Sequence, residues 1–121
     1  MKTILIADDD PVMVKLLEFN LKRGGYRVEI CREGLSVSAK AHEVSPALAI
    51  FDLMLPGRSG LELIKDFKDD DTLDGIPIIV VTGQGKGSTR HELLKAGANT
   101  VFTKPFSPTI LINRISELLS S

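Results

Sequence analysis

Ala47-Leu48-Ala49-Ile50-Phe51-Asp52-Leu53-Met54-Leu55-Pro56-Gly57-Arg58-Ser59-Gly60 is the stretch that decides the fold. Its apolar run, Ala47 to Phe51, stops at a single carboxylate, Asp52, and the chain then turns through Leu55-Pro56-Gly57. A short apolar run bounded by turn residues reads as a strand buried on both faces, and such strands lie at the centre of parallel sheets covered by helices. Asp52 therefore falls at the carboxyl edge of a central strand, where open α/β sheets place their sites. On position alone it is equally an aspartate capping a turn.

Upstream, Thr3-Ile4-Leu5-Ile6-Ala7 is another apolar run, ended by Asp8, Asp9 and Asp10 and followed by Pro11. Asp10 suits a helix N-cap and Pro11 the first helical position. Met13, Leu16, Leu17, Asn20 and Leu21 keep helical spacing up to Gly24-Gly25, with Asn20 the one polar intruder. Tyr26 to Cys31 alternates weakly and reads as a strand. Gly34 to Val44 is ambiguous: Leu35, Val37, Ala39 and Ala41 alternate as in a strand, while the alanines and the βαβ context favour a helix. Ser45-Pro46 closes it.

Downstream, Ser59 opens a helix in which Leu61, Leu63, Ile64 and Phe67 face the core, and Lys68 to Asp74 is a polar, acidic exit. Ile78 to Thr82 is another doubly buried strand, ending on a hydroxyl. Gly83-Gln84-Gly85-Lys86-Gly87 reads as a flexible loop, and Ser88 to Ala96 as a short helix stopped by Gly97. Thr100 to Thr103 is the fifth strand and ends at Lys104-Pro105. Ser107-Pro108 starts the last helix, with Leu111, Ile112, Ile115, Leu118 and Leu119 on one face.

Five strands thus alternate with five helices, which implies parallel βαβ units with right-handed crossovers. The expected fold is α/β: a doubly wound five-stranded parallel sheet of order 2-1-3-4-5, flavodoxin-like. In that order the first and third strands meet at the switch point. Asp8, Asp9, Asp52, Thr82 and Lys104 then share one sheet edge.

Composition narrows the class. The 121 residues suit one domain with one core, and we read 1–121 as a single domain, standing alone or cut from a longer protein. A formal net charge of −1 gives no reason to expect nucleic-acid or membrane binding. Cys31 is the lone cysteine, which fits a reducing compartment. No apolar run approaches the roughly 18 residues of a membrane span. We expect a cytoplasmic protein.

An acidic pair after the first strand, Asp52 after the third, Thr82 after the fourth and Lys104-Pro105 after the fifth make an ordered constellation. It resembles the receiver domain of bacterial two-component response regulators, chemotaxis-regulator-like, over Lys2 to about Leu119. The strings at 4–11, 52–57, 95–98 and 103–106 are also similar to that family. Clustered carboxylates give the resemblance a chemical basis. Two at about 5 Å in an effective dielectric near 20 repel by roughly 3 kcal/mol. A hard cation such as Mg²⁺ relieves this.

The resemblance implies Asp52 as phosphoacceptor, with Asp9, Asp52 and the Met54 backbone carbonyl as Mg²⁺ ligands and Asp8 acting partly through water. It implies that Thr82 and Lys104 contact the phosphoryl oxygens. The donor would be a phosphohistidine on a sensor histidine kinase or histidine phosphotransfer protein. Output would pass to a partner through the face made by the fourth helix, fifth strand and fifth helix. Such a domain is no enzyme but a signalling phosphoacceptor that assists its own phosphorylation and dephosphorylation. Met54 and Gln84 would flank the phosphoryl group and set access of the hydrolytic water. Pro105 either carries a cis peptide, as in the family, or simply ends the strand.

Val101 stands where most receivers carry an aromatic residue that moves with the threonine. The aromatic Phe102 is one residue off, and strand alternation points it into the core. Phosphorylation is then expected to act on Thr82 and the loop from Gly83 to Gly87. Arg114 fits the pattern of the dimerising DNA-binding regulators, but Asn99 and Thr100 replace its acidic partners, so that dimer is not expected. Asp10 is read as a cap only, and His42 and His91 as surface residues.

Three other classes compete. A phosphatase of the haloacid dehalogenase type needs a second aspartate two residues after its nucleophile, where this chain has Met54. A flavin binder must hold a phosphate in the first βα loop, which Asp8-Asp9-Asp10 would repel. A phosphorylation-independent interaction module on the receiver fold is the remaining alternative, and Val101 is the residue that keeps it open.

Overall fold

A computed structural model describes residues 1–83 and 87–120 of the chain. Five parallel strands, β1 (Thr3–Ala7), β2 (Arg27–Cys31), β3 (Leu48–Asp52), β4 (Ile78–Thr82) and β5 (Thr100–Thr103), lie in the order β2-β1-β3-β4-β5. Five helices connect and follow them: α1 (Pro11–Arg23), α2 (Val37–Val44), α3 (Gly60–Lys68), α4 (Gly87–Ala96) and α5 (Pro108–Ser120). This is the doubly wound order expected from the sequence.

Alternation along each strand divides the core into two layers. Leu5, Ala7, Ala49, Phe51, Ile78, Val80 and Val101 pack against α2, α3 and α4. Ile4, Ile6, Leu48, Ile50, Ile79 and Val81 pack against α1 and α5. Every residue of β3 and β4 is buried, as their unbroken apolar runs require. Phe51 meets Phe67 of α3 edge to face, with ring centres 5.1 Å apart.

Four local expectations are corrected. Leu16 is 40% exposed, and the inward stripe of α1 is Val14, Leu17 and Leu21. The stripes through 13-16-20 and 14-17-21 are both largely apolar, and packing selects the second. Gly34 to Val44 is not one helix but a 3-10 turn, Gly34–Ser36, followed by α2, whose C-cap Ser45 is left-handed at φ 48°. The segment after α3 is more than a polar exit, because Leu73 is buried within it. Phe102 packs only half-buried against the α1 and α5 layer, while Val101 is the deeply buried residue. Both sheet faces are covered, so alternation there chooses between core layers rather than between core and water.

β5 is an edge strand held from both sides by arginines. Arg90 of α4 donates from Nη1 to the Val101 carbonyl at 2.6 Å, and Arg114 of α5 donates from Nε to Thr100 Oγ1 at 2.7 Å.

Candidate functional site

The site forms where β1 and β3 end side by side. Ala7 pairs with Phe51, so the next residues, Asp8 and Asp52, leave the sheet as neighbours. Oxygens of Asp8, Asp9 and Asp52 lie within 4.8 Å of one another. Asp8 is 2% exposed and Asp52 8%, while Asp9 sits at the exposed rim. Asp10 turns away: its Oδ1 accepts the Val12 N–H at 3.0 Å and caps α1, as expected, with Pro11 at the first helical position.

Hydrogen bonds fix the inner carboxylates. Asp8 Oδ1 accepts the Asp10 N–H at 2.9 Å, and Asp52 Oδ1 accepts the Met54 N–H at 3.4 Å. The Met54 side chain projects outward at the rim, 68% exposed. Lys104 Nζ lies 3.7 Å from Asp52 Oδ1 and 4.0 Å from Asp8 Oδ2. These are ion-pair distances, beyond hydrogen-bond reach. Among the described residues, one ammonium faces three carboxylates here. Burial pushes the Asp8 carboxyl above the ordinary carboxylate value, the Asp52 charge adds to this, and the Asp10 N–H and Lys104 oppose it.

Thr82 closes β4 and is fully buried; its carbonyl accepts the Lys104 N–H at 2.8 Å, which ties the ends of β4 and β5 together. Gly83 follows, exposed. The Lys104–Pro105 peptide is cis. The edge therefore brings Asp8, Asp9, Asp52, Met54, Thr82 and Lys104 to one place. Gln84 and the middle of the glycine-rich stretch lie outside the described residues. Val101 belongs to the buried layer under α4 rather than to the pocket.

His42 and His91 lie away from this edge. His91 is exposed on α4, and His42 Nε2 pairs with Asp70 Oδ2 at 2.7 Å. That pair borders a cleft of about 370 Å³ lined by Ala41, Ser45, Pro46 and Ile76 among others. The cleft lies at the opposite, amino edge of the sheet and holds none of the clustered carboxylates.

The sequence reading missed the bracing of the β3–α3 loop. Arg58 Nε and Nη2 grip Asp66 Oδ2 and Oδ1 at 2.6 and 2.7 Å, and Nη1 lies 3.4 Å from Glu62 Oε2. The available signal was an arginine just before the Ser59 cap, followed by carboxylates four residues apart on one helix face.

A family model for the response regulator receiver domain matches residues 4–116. The chain belongs to that family. This receiver domain is 38% identical over 122 residues to the phosphate regulon transcriptional regulatory protein PhoB of Pseudomonas aeruginosa, covering 98% of this chain and 52% of that protein. It spans about half the length of the curated relatives it matches. A crystal structure from Chloroflexus aurantiacus superposes with a TM-score of 0.94 at 32% identity, covering 99% of this chain and 98% of that one. The receiver domain of sensor histidine kinase PA1611 from Pseudomonas aeruginosa gives 0.90 at 26% identity, covering 99% and 98%, and was solved with a magnesium ion coordinated in its active-site cleft. Among the described residues no helix is long and apolar enough to cross a membrane.

Proposed function

We propose that this receiver domain accepts a phosphoryl group on Asp52, in a Mg²⁺-dependent transfer from a phosphohistidine of a sensor histidine kinase or histidine phosphotransfer protein. The supporting observation is the pocket where buried Asp8 and Asp52 stand with Asp9 within 4.8 Å of one another, with Lys104 beside them. Such a hard-oxygen donor set fits Mg²⁺. Asp9, Asp52 and the Met54 carbonyl would hold it, with Asp8 acting partly through water. When bound, Mg²⁺ supplies charge neutralisation at the phosphoryl oxygens.

The remaining work falls to the chain's own groups. An Asp52 oxygen attacks phosphorus as the bond to the donor nitrogen breaks, leaving an acyl phosphate. The Thr82 hydroxyl donates to one phosphoryl oxygen. Lys104, loosely placed between Asp8 and Asp52, moves to another. Hydrolysis of the acyl phosphate in the same pocket returns the domain to rest, with Met54 and Gln84 setting water access. The change passes through Thr82 and Gly83 to a protein partner on the α4, β5 and α5 face. Neither nucleic acid nor membrane is a direct partner, and the proposed kinase places the domain in the cytoplasm.

Intact-mass spectrometry after incubation with a small acyl-phosphate donor tests this reading. One added phosphoryl group, absent without Mg²⁺ and absent in Asp52→Asn, is the expected result. No adduct, together with no beryllofluoride complex and no Mg²⁺ binding, would make the domain a phosphorylation-independent interaction module.

A further inference from the structure

The chain between β3 and α3 carries Met54, and it is fastened at its base and at its tip. At its base the Gly60 N–H donates to the Leu53 carbonyl at 2.9 Å. A side chain at Gly60 would begin only 2.9 Å from Leu53 Cα, so α3 starts directly against the residue after Asp52. At its tip the Gly34 N–H donates to the Pro56 carbonyl at 2.7 Å. A Cβ at Gly34 would lie 2.4 Å from Arg58 Cβ and Arg58 O, so the 3-10 turn rests on the Arg58 backbone. Gly57 makes the intervening bend at φ 86°.

Arg58 completes the fastening from its other end. Its guanidinium holds both oxygens of Asp66, nearly two turns along α3, in a planar fork. Glu62 lies beside the fork and also closes the Ser59 capping box. The backbone of Arg58 is thus pinned between Gly34 and α3, four residues from the Met54 carbonyl.

We propose that Arg58 is a positioning residue for the metal site, acting through this loop: its fork to Asp66 holds the backbone that carries the Met54 carbonyl. The proposal rests on the reading of the pocket as a Mg²⁺ site. Its physical basis is that a neutral carbonyl gains affinity for a cation only if it is already aimed. A loop free to turn would present the carbonyl to water instead. Neither Arg58 nor Asp66 would touch the ion; they hold the residue whose carbonyl would, and outer partners of this kind commonly change metal affinity by about 10- to 100-fold.

The test is a Mg²⁺ titration followed by amide shifts of residues 52–60, on the wild type, Arg58→Ala, Arg58→Lys, Asp66→Asn and the double variant Arg58→Ala/Asp66→Asn, with unfolding measured separately. Arg58→Ala and Asp66→Asn are each expected to bind Mg²⁺ about tenfold more weakly, at the low end of that range. The double variant should be no weaker than Arg58→Ala, because one interaction is lost in each. Arg58→Lys should recover only part, since an ammonium cannot make the fork. Unchanged Mg²⁺ affinity in Arg58→Ala and Asp66→Asn overturns the proposal, even where their unfolding free energy falls, because that is the mark of a merely structural pair. Additive losses overturn it as well. A wild type without saturable Mg²⁺ binding overturns the metal-site reading and the proposal with it, so the two failures are told apart by the wild-type curve.

Discussion

On the carboxylate flank of the pocket, the chain from Leu53 to Gly60 is tied by the Gly34–Pro56 and Gly60–Leu53 backbone bonds, the Arg58–Asp66 fork and the Ser59–Glu62 capping box. On the lysine flank, the chain from Thr103 to Ser107 is held more lightly among the described residues, by the Lys104–Thr82 backbone bond, the Ser107 bond from the Ile110 N–H and a tilted contact between the Phe102 and Phe106 rings at 6.1 Å. Lys104 itself reaches Asp8 and Asp52 only at 3.7 to 4.0 Å. The difference follows from the sign of the forces. Carboxylates gathered for a cation repel one another and disperse unless the backbone forbids it. An ammonium among them is drawn in by attraction and needs no such bracing.

The comparison is broken most forcefully at the 3-10 turn. Gly34→Ala puts a methyl group 2.4 Å from the Arg58 backbone and should destabilise the fold by about 3 kcal/mol in urea unfolding. A loss below about 1 kcal/mol would mean that the carboxylate flank yields easily.

Asp8→Asn relieves the repulsion itself. The native Asp8 carboxyl holds its proton more tightly than an unfolded one at 3.8, so its ionisation costs stability as pH rises through the native value. The variant should therefore be more stable by roughly 1–2 kcal/mol at neutral pH. That gain should shrink on acidification and vanish where Asp8 is protonated in both states. Mg²⁺ affinity should fall meanwhile. Equal stability at neutral and strongly acid pH would remove Asp8 as a strained group.

A matched pair of changes sharpens the comparison. Ser59→Ala opens a reciprocal capping box and should cost about 1 kcal/mol, whereas Ser107→Ala loses a single 3.3 Å bond from the Ile110 N–H and should cost about 0.5. Lys104→Met should change stability least, by under about 0.5 kcal/mol, while slowing phosphoryl uptake by about an order of magnitude. Unfolding that is more sensitive to Lys104→Met than to Ser59→Ala would show that the lysine is scaffold after all.

The sheet was legible because doubly buried strands leave little choice: the runs at 4–7, 48–51 and 78–81 have no polar face to misassign. The pocket was legible for a related reason, since its groups sit at strand ends and strand order alone assembles them. Helix faces were less so. On α1, Leu16 and Leu17 offer two apolar stripes, and only the packed neighbours reveal that Leu17 faces inward. The Arg58–Asp66 fork was hidden for another reason, because it depends on how the loop turns at Gly57 and on the 3-10 turn pressing from Gly34. Phe102 shows the limit of alternation on an edge strand, where cover is thinner and burial is partial.

β5 is one of the two margins of the sheet, and a bare margin is a template on which another chain can add a strand and begin to aggregate. Here the Val101 carbonyl is already taken by Arg90, and Arg114 lies across Thr100. An incoming strand would have to displace a guanidinium and bury its charge. The two arginines thus guard this margin against strand addition.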